Sequence, residues 1–124
     1  MGFFNTIVGN VSNTDLSAIG KKYELLLCEG EFIECAFTHM RDKWVFTNKR
    51  IIIQDTKGIT GRRKQYVSIP YRSVEYYSIE TAGTLDTAAM LKISVRGINE
   101  LVKVKFGRGK DLEIIQKVLA QYSL

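Results

Sequence analysis

Proline, histidine and cysteine are scarce in this chain of 124 residues. The single proline, Pro70, excludes long proline-rich linkers. Hydrophobic residues make up 45% of the chain and charged residues 25%, which argues against disorder outside the termini. A chain of this length fits one domain and can bury a core without a metal or a disulfide.

The lone histidine and the two cysteines provide no chemical site. His39 has no nucleophile or carboxylate cluster beside it in the sequence, so we interpret it as a strand end near solvent. Cys28 and Cys35 match neither a CxxC nor a zinc-ligand pattern, and Cys35 is typical of a small buried hydrophobe. We therefore predict no catalytic residue, no metal site, no cofactor and no enzyme activity, in a reduced cytoplasmic protein.

Long apolar runs and strong charge are also missing. No stretch of about 18 apolar residues exists, and no basic region precedes an apolar one at the N-terminus, so we predict neither a membrane span nor a secretory signal. The net charge of +5 permits an anionic partner without requiring one. Nucleic acid is disfavoured, because strand alternation places Tyr76 and Tyr77 on opposite faces and prevents a stacking platform.

The first 28 residues follow a helical pattern. Phe3, Phe4 and Ile7 lie on one face of a predicted short helix over 3–11. Apolar residues then recur at intervals of three and four, which predicts an amphipathic helix over 14–27 with Tyr23 and Leu26 on its buried face. We therefore predict an N-terminal helical segment over 1–28.

From residue 29 onward the period changes to two, which is typical of strands with one buried face. Short turns at Asp42-Lys43 and Asn48-Lys49, and Pro70, which cannot donate to a sheet, separate the first strands. The predicted strands are 33–40, 44–47, 50–55, 65–69, 74–81, 91–96 and 102–106. Seven short antiparallel strands favour a barrel or a sandwich.

The chain ends on a second amphipathic pattern. Leu112, Ile115, Leu119 and Tyr122 form one apolar stripe, which predicts a helix over 110–122. That stripe needs a surface to cover it, and the open end of a barrel offers one. The predicted fold is all-β with helices. Residues 29–124 form a partly open, seven-stranded antiparallel barrel capped by this helix.

Residues 46–83 resemble the core of the bacterial pleckstrin-homology (PH) domain family. The specific parts are the segments TNKR at 47–50, SIPY at 68–71 and ETAG at 80–83. The resemblance extends over roughly 30–124 and implies a PH-like barrel without established catalytic activity. It also implies homo-oligomers, including rings, but no ligand. The hairpin turn at Asp42-Lys43 is too short to hold an inositol phosphate as eukaryotic PH domains do.

Two binding hypotheses follow. We favour a protein-interaction module that assembles with itself, possibly into a ring, and also binds an unknown protein partner. Its candidate interface is Phe3, Phe4 and Ile7, which are apolar and need cover. The alternative is weak binding of an anionic lipid or a phosphate-bearing ligand by the basic loop at 57–64. Its candidate residues are Lys57, Arg62, Arg63 and Lys64.

Overall fold

The computed structural model describes residues 6–7, 21–23, 25–39, 42–57, 61–81, 89–106 and 110–124. Within these ranges the chain forms eight β-strands, one turn of 3-10 helix at Tyr71–Ser73 and a C-terminal α-helix at Lys110–Ser123. The strands are β1 (Thr6–Ile7), β2 (Ile33–His39), β3 (Asp42–Thr47), β4 (Arg50–Lys57), β5 (Arg63–Pro70), β6 (Val74–Thr81), β7 (Ala89–Val95) and β8 (Val102–Phe106). Strands β2 to β8 confirm the seven strands that the sequence predicts.

The strands form two four-stranded sheets. In the first sheet, β2, β3, β4 and β5 follow in chain order and every pair is antiparallel. The second sheet has the order β1-β8-β7-β6. Its β6–β7 and β7–β8 pairs are antiparallel, whereas β1 lies parallel to β8 with Thr6 opposite Lys105. The described sheets are therefore antiparallel, as predicted, except for this two-residue contact.

The main core unites the inner faces of both sheets with the C-terminal helix. Alternate residues of β2 to β8 point into it, as Trp44 and Phe46 of β3 and Leu91 of β7 do. Ile115 and Leu119 of the helix belong to the same cluster and are fully buried. The predicted capping helix is thus confirmed, and it covers the core through the stripe that the sequence predicts.

A second, smaller core lies on the outer face of the first sheet. The segment before β2 covers this face, so β3 and β4 are buried on both sides. The buried members are Tyr23, Ala36, Val45 and Ile52, with Leu27 and Ile33 packed against them. The division of the chain at residue 28 into a helical segment and a barrel domain stays a prediction.

The N-terminal helical segment predicted over 1–28 is not supported. Thr6–Ile7, predicted inside a helix over 3–11, form strand β1 instead. Their main chain pairs with the edge of β8, and an open sheet edge accepts an extended segment regardless of its helical periodicity. The rest of the helix over 3–11 lies outside the described residues.

The helix predicted over 14–27 ends earlier than its apolar pattern suggests. Lys21 and Lys22 are helical, but the N–H groups of Leu26 and Leu27 both donate to the carbonyl of Tyr23, at 2.8 and 3.0 Å, in a turn. Tyr23 is buried as predicted, whereas Leu26 is exposed. Residues 14–20 and 24 of this helix lie outside the described residues.

Three strands extend further than predicted. β3 begins at Asp42 rather than at residue 44, so the hairpin turn lies before Asp42 and not at Asp42-Lys43. β4 continues to Lys57 and β5 begins at Arg63, whose main chains pair directly. Polar side chains end a hydrophobic pattern, but they do not end main-chain pairing on a solvated sheet face.

Candidate functional site

The basic residues predicted to bind anions lie on a β-hairpin rather than in a single loop. Lys57 ends β4, Arg63 and Lys64 begin β5, and Arg62 precedes them. The side chains of Arg62, Arg63 and Lys64 are exposed. Because successive strand residues point to opposite faces, Arg63 and Lys64 leave the sheet on different sides. The hairpin thus divides its positive charge between the two faces of the first sheet.

The candidate oligomer interface lies mostly outside the described residues. Phe3 and Phe4 lie outside the described residues. The main chain of Ile7 pairs with Phe106 in the parallel contact between β1 and β8. The interface formed by Phe3, Phe4 and Ile7 stays a prediction.

A row of polar side chains crosses the outer face of the first sheet. Lys43 of β3 lies opposite Gln54 of β4, which in turn lies opposite Tyr66 of β5. The hydroxyl of Tyr23 donates to the Oε1 atom of Gln54 at 2.6 Å, and its ring meets Tyr66 edge-on with centroids 6.0 Å apart. Burial raises the pKa of Tyr23, so its hydroxyl remains a donor at neutral pH. The segment before β2 is therefore fixed to this row.

Three lysines lie in this row or next to it. Lys43 is part of the row, Lys64 lies two residues before Tyr66 on the same face of β5, and Lys22 directly precedes Tyr23. Burial lowers the pKa of Lys43, and the positive charges of Lys22 and Lys64 lower it further. Three elements that are distant in sequence thus bring like charges together.

Sequence reasoning named Lys64 and missed Lys22 and Lys43. Alternation along β3 could have placed Lys43 on the face opposite Trp44, but the turn prediction at Asp42-Lys43 removed it from the strand. Lys22 approaches only because Tyr23 is buried against the sheet. No local pattern signals such a long-range contact.

A groove lies beside the edge strand β6, where the end of the C-terminal helix approaches it. Its volume is about 350 Å³. Tyr77 packs against the main core, whereas Tyr76 is 57% exposed. The two tyrosines therefore lie on opposite faces of β6, as alternation predicts. The lining residues are Val74, Glu75, Tyr76, Tyr77, Ser123 and Leu124.

A buried ion pair joins the TNKR segment to the turn before β2. The Glu31 carboxylate accepts from Nε of Arg50 at 2.9 Å and from the hydroxyl of Thr47 at 2.7 Å. It also accepts from the N–H of Cys28 at 3.0 Å. Burial alone would raise the pKa of Glu31, but these hydrogen bonds and the Arg50 charge outweigh it and hold the pKa at about 2.

Asn48 of the TNKR segment and Tyr71 of the SIPY segment make further hydrogen bonds near this junction. The side chain of Asn48 accepts from the N–H of Phe32 at 2.8 Å and donates to the carbonyl of Gly30 at 3.0 Å. The hydroxyl of Tyr71, from the SIPY segment, donates to the carbonyl of Thr47 at 2.6 Å. These side chains fix the turn that leads into β2, so their roles here are structural.

Groups suited to catalysis or metal binding are not assembled in the described part of the chain. Within it, no three His, Cys, Asp or Glu residues come close enough to hold a metal ion. Cys28 is exposed and Cys35 is buried, and neither is in a disulfide. Burial raises the pKa of the Cys35 thiol to about 12, and the Glu34 charge adds to this, so the thiolate is disfavoured.

Comparison with known proteins identifies the family to which this fold belongs. The bacterial PH domain profile matches residues 2–123. The chain belongs to the bacterial PH domain family. Its TNKR and SIPY segments, which carry the resemblance, form the junction around Glu31 and Arg50.

Relatives of this bacterial PH domain cover nearly its whole length. The Bacillus subtilis protein YjqA, which is uncharacterized, is 41% identical over 121 residues, 97% of each chain. The crystal structure of a DUF1696 family protein with a pleckstrin-homology domain from Shewanella loihica superposes with a TM-score of 0.83 at 34% identity, covering 94% of this chain and 97% of that one. A pleckstrin homology domain from Shewanella amazonensis gives a TM-score of 0.73 at 39% identity, covering 94% of both chains.

The PH fold indicates an interaction or binding module. PH domains are typically non-catalytic and generally mediate contacts with proteins or lipids. Among the described residues, no helix has the length and apolar character needed to cross a membrane. The binding surface and the binding partner must therefore be inferred from the structure.

Proposed function

We propose that this bacterial PH domain is a non-enzymatic interaction module that assembles with copies of itself. The observation that supports it best is the edge strand β6 with its adjoining groove. β6 pairs with β7 on one side, and no other described strand pairs with it. An edge strand of this kind can act as a template for a further strand.

The exposed surface at β6 supports a protein partner. Tyr76 is 57% exposed and lines the groove together with Leu124, which is also exposed. Aromatic side chains of this kind are enriched at protein interfaces because they bury a large area with few rotatable bonds. An incoming strand on β6 would cover both residues.

Opposite charges on the edge strands β5 and β6 favour a second copy as the partner. β5, one edge of the first sheet, carries Arg63 and Lys64 and no acidic residue. β6, one edge of the second sheet, carries Glu75 and Glu80 and no basic residue. Pairing β5 of one subunit with β6 of the next is a head-to-tail contact, which closes into a ring when its rotation fits.

We also propose a cellular location and a second contact surface. We place the module in the cytoplasm, where the free cysteines Cys28 and Cys35 remain reduced. The apolar residues Phe3, Phe4 and Ile7 provide a second contact in the assembly, independent of β5 and β6. Deletion of residues 1–12 separates the two contributions.

Self-assembly is testable by the absolute mass in solution. We expect light scattering after gel filtration to give a multiple of the 14.1 kDa chain mass for the wild type. Tyr76→Lys places a basic charge on the edge that meets the basic β5 of the next subunit, so it should shift the mass toward the monomer. Ile98→Lys is the matched control, since Ile98 is 44% exposed in the β7–β8 loop and should leave the mass unchanged.

Charge reversal tests which edges meet. Glu75→Lys with Glu80→Lys makes both edges basic, and Arg63→Glu with Lys64→Glu makes both acidic, so each double variant alone should dissociate. Mixing the two restores unlike edges at every contact, and alternating assemblies should form. A wild-type monomer at high concentration, or double variants that assemble unaided, would contradict edge pairing.

A second proposed activity is binding of an anionic lipid or another phosphate-bearing ligand at the 57–64 hairpin. The exposure of Arg62, Arg63 and Lys64 supports it. Guanidinium groups match the geometry of phosphate oxygens, and a surface patch of this kind binds weakly and in a salt-dependent way. This activity does not require assembly.

Alanine at Arg62 and Arg63 separates folding from binding. Both side chains are exposed, so we expect the double change to alter the free energy of unfolding by less than about 0.5 kcal/mol in urea titrations. Sedimentation with vesicles that contain phosphatidic acid should fall for this variant and at high salt. Equal sedimentation of wild type and variant would remove the two arginines from the site.

A further inference from the structure

We infer that Lys22, Lys43 and Lys64 form a phosphate-binding site on the outer face of the first sheet, next to the Tyr23–Tyr66 pair. This inference rests on the second proposed activity, the binding of a phosphate-bearing ligand. It places the ligand on the outer face of the sheet rather than on the 57–64 hairpin alone. Only Lys64 is shared with that hairpin.

Strand register brings two of the lysines together. Lys43 lies opposite Gln54, Gln54 lies opposite Tyr66, and Thr56, two residues after Gln54, lies opposite Lys64. Residues that alternate by two share a face, so Lys43 on β3 and Lys64 on β5 stand on the same side of the sheet, on either side of Gln54 and Thr56 in β4. This side is the outer face, where the second core lies.

The third lysine is delivered by the segment before β2. Tyr23 is anchored to this face by its 2.6 Å hydrogen bond to Gln54 and its edge-on contact with Tyr66. Lys22 directly precedes this anchored residue and is exposed. The site therefore requires the folded chain, because its lysines come from the N-terminal segment, β3 and β5.

Electrostatics at the cluster favour a multivalent anion. Lys43 is half-buried, and burial together with the charges of Lys22 and Lys64 disfavours its own charged form. Asp42 belongs to the opposite face by alternation, and its carboxylate accepts the N–H of Thr56 at 2.9 Å. A doubly charged anion among the three ammonium groups would replace repulsion with attraction.

The donors specify the ligand class. Lysine ammonium groups each offer three rotatable donors, so they suit a compact charge rather than a planar carboxylate fork. Tyr66 is exposed at the side and adds a phenol donor. A phosphomonoester or a diphosphate matches this set, carried either by a lipid headgroup or by a soluble molecule.

The test compares two triple variants with the same loss of charge. Lys22→Gln, Lys43→Gln and Lys64→Gln together remove the site. Lys49→Gln, Lys105→Gln and Lys117→Gln together remove three exposed lysines elsewhere. Inorganic pyrophosphate, measured by calorimetry, probes a soluble source. Vesicles of phosphatidylcholine with roughly one-fifth phosphatidic acid probe a headgroup source.

We expect the site variant to lose at least about tenfold in affinity and the control variant to remain near wild type. If the site variant loses affinity for pyrophosphate, the ligand is a soluble phosphate compound. If it loses affinity for the vesicles alone, the ligand is a lipid headgroup. Equal weakening of both triple variants overturns the site, since net charge then suffices. If the site variant still binds and the Arg62→Ala, Arg63→Ala variant does not, the three-lysine site is overturned, but phosphate binding by the 57–64 hairpin is supported. A wild type that binds neither probe overturns both.

Discussion

Replacing Arg50 by alanine is expected to lower the free energy of unfolding by about 3–5 kcal/mol. The Glu31 side chain has 0% exposure, and Arg50 is its charged partner at 2.9 Å. The guanidinium also donates to the carbonyl of Leu26 and, at 3.0 Å, to the hydroxyl of Ser68. Its removal leaves a carboxylate buried without a counter-charge and cuts the link between the turn before β2 and the first sheet.

Chemical denaturation with circular dichroism measures this loss. Lys49→Ala is the matched control, because Lys49 is the exposed neighbour in the same turn and should cost less than about 0.5 kcal/mol. A loss below about 1 kcal/mol for Arg50→Ala would show that Glu31 tolerates burial through its bonds to Thr47 and Cys28 alone.

The same ion pair predicts acid sensitivity. The folded pKa of Glu31 is about 2, below its ordinary value of 4.5. Its stabilisation is therefore complete above pH 4.5 and disappears as the pH falls through about 2. The difference corresponds to about 3 kcal/mol. Glu31→Gln should remove this component, so the stability of that variant should fall less steeply between pH 4.5 and 2 than that of the wild type.

The junction around Glu31 also shows what sequence reasoning could reach. The TNKR and SIPY segments were recognisable as family features, and the two-residue period around them located the strands, although not all of their ends. The role of these segments was not accessible. Arg50 and Glu31 are 19 residues apart, and their pairing depends on how the turn before β2 returns to the sheet.

The helix predicted over 3–11 was wrong at Thr6–Ile7 for a related reason. Helical periodicity at Phe3, Phe4 and Ile7 is a local signal, whereas an open edge on β8 is a feature of the finished sheet. Main-chain pairing satisfies exposed N–H and C=O groups whatever the side-chain pattern. The lysine cluster was missed on the same grounds, since it requires the register of β3, β4 and β5 and the anchoring of Tyr23.

The C-terminal helix was the most reliable prediction, because one stripe of apolar residues fixes both its type and its buried face. Leu119→Ala is expected to cost about 2–5 kcal/mol, the range for leucine truncations that leave a cavity in a packed core. Leu119 is 0% exposed and belongs to the cluster formed by both sheets. Its loss therefore weakens the contact that covers the core, rather than the helix alone.

The control for this variant lies on the same helix. Ile114→Ala truncates a side chain that is 38% exposed and slightly raises helix propensity, so it should cost less than about 1 kcal/mol. Urea unfolding should give equal slopes for both variants, and a lower midpoint for Leu119→Ala. If Leu119→Ala and Ile114→Ala cost the same, the helix is held by its exposed edge and its polar contacts. The hydrogen bond from Tyr122 to Glu34 of β2 would then be the contact to remove next.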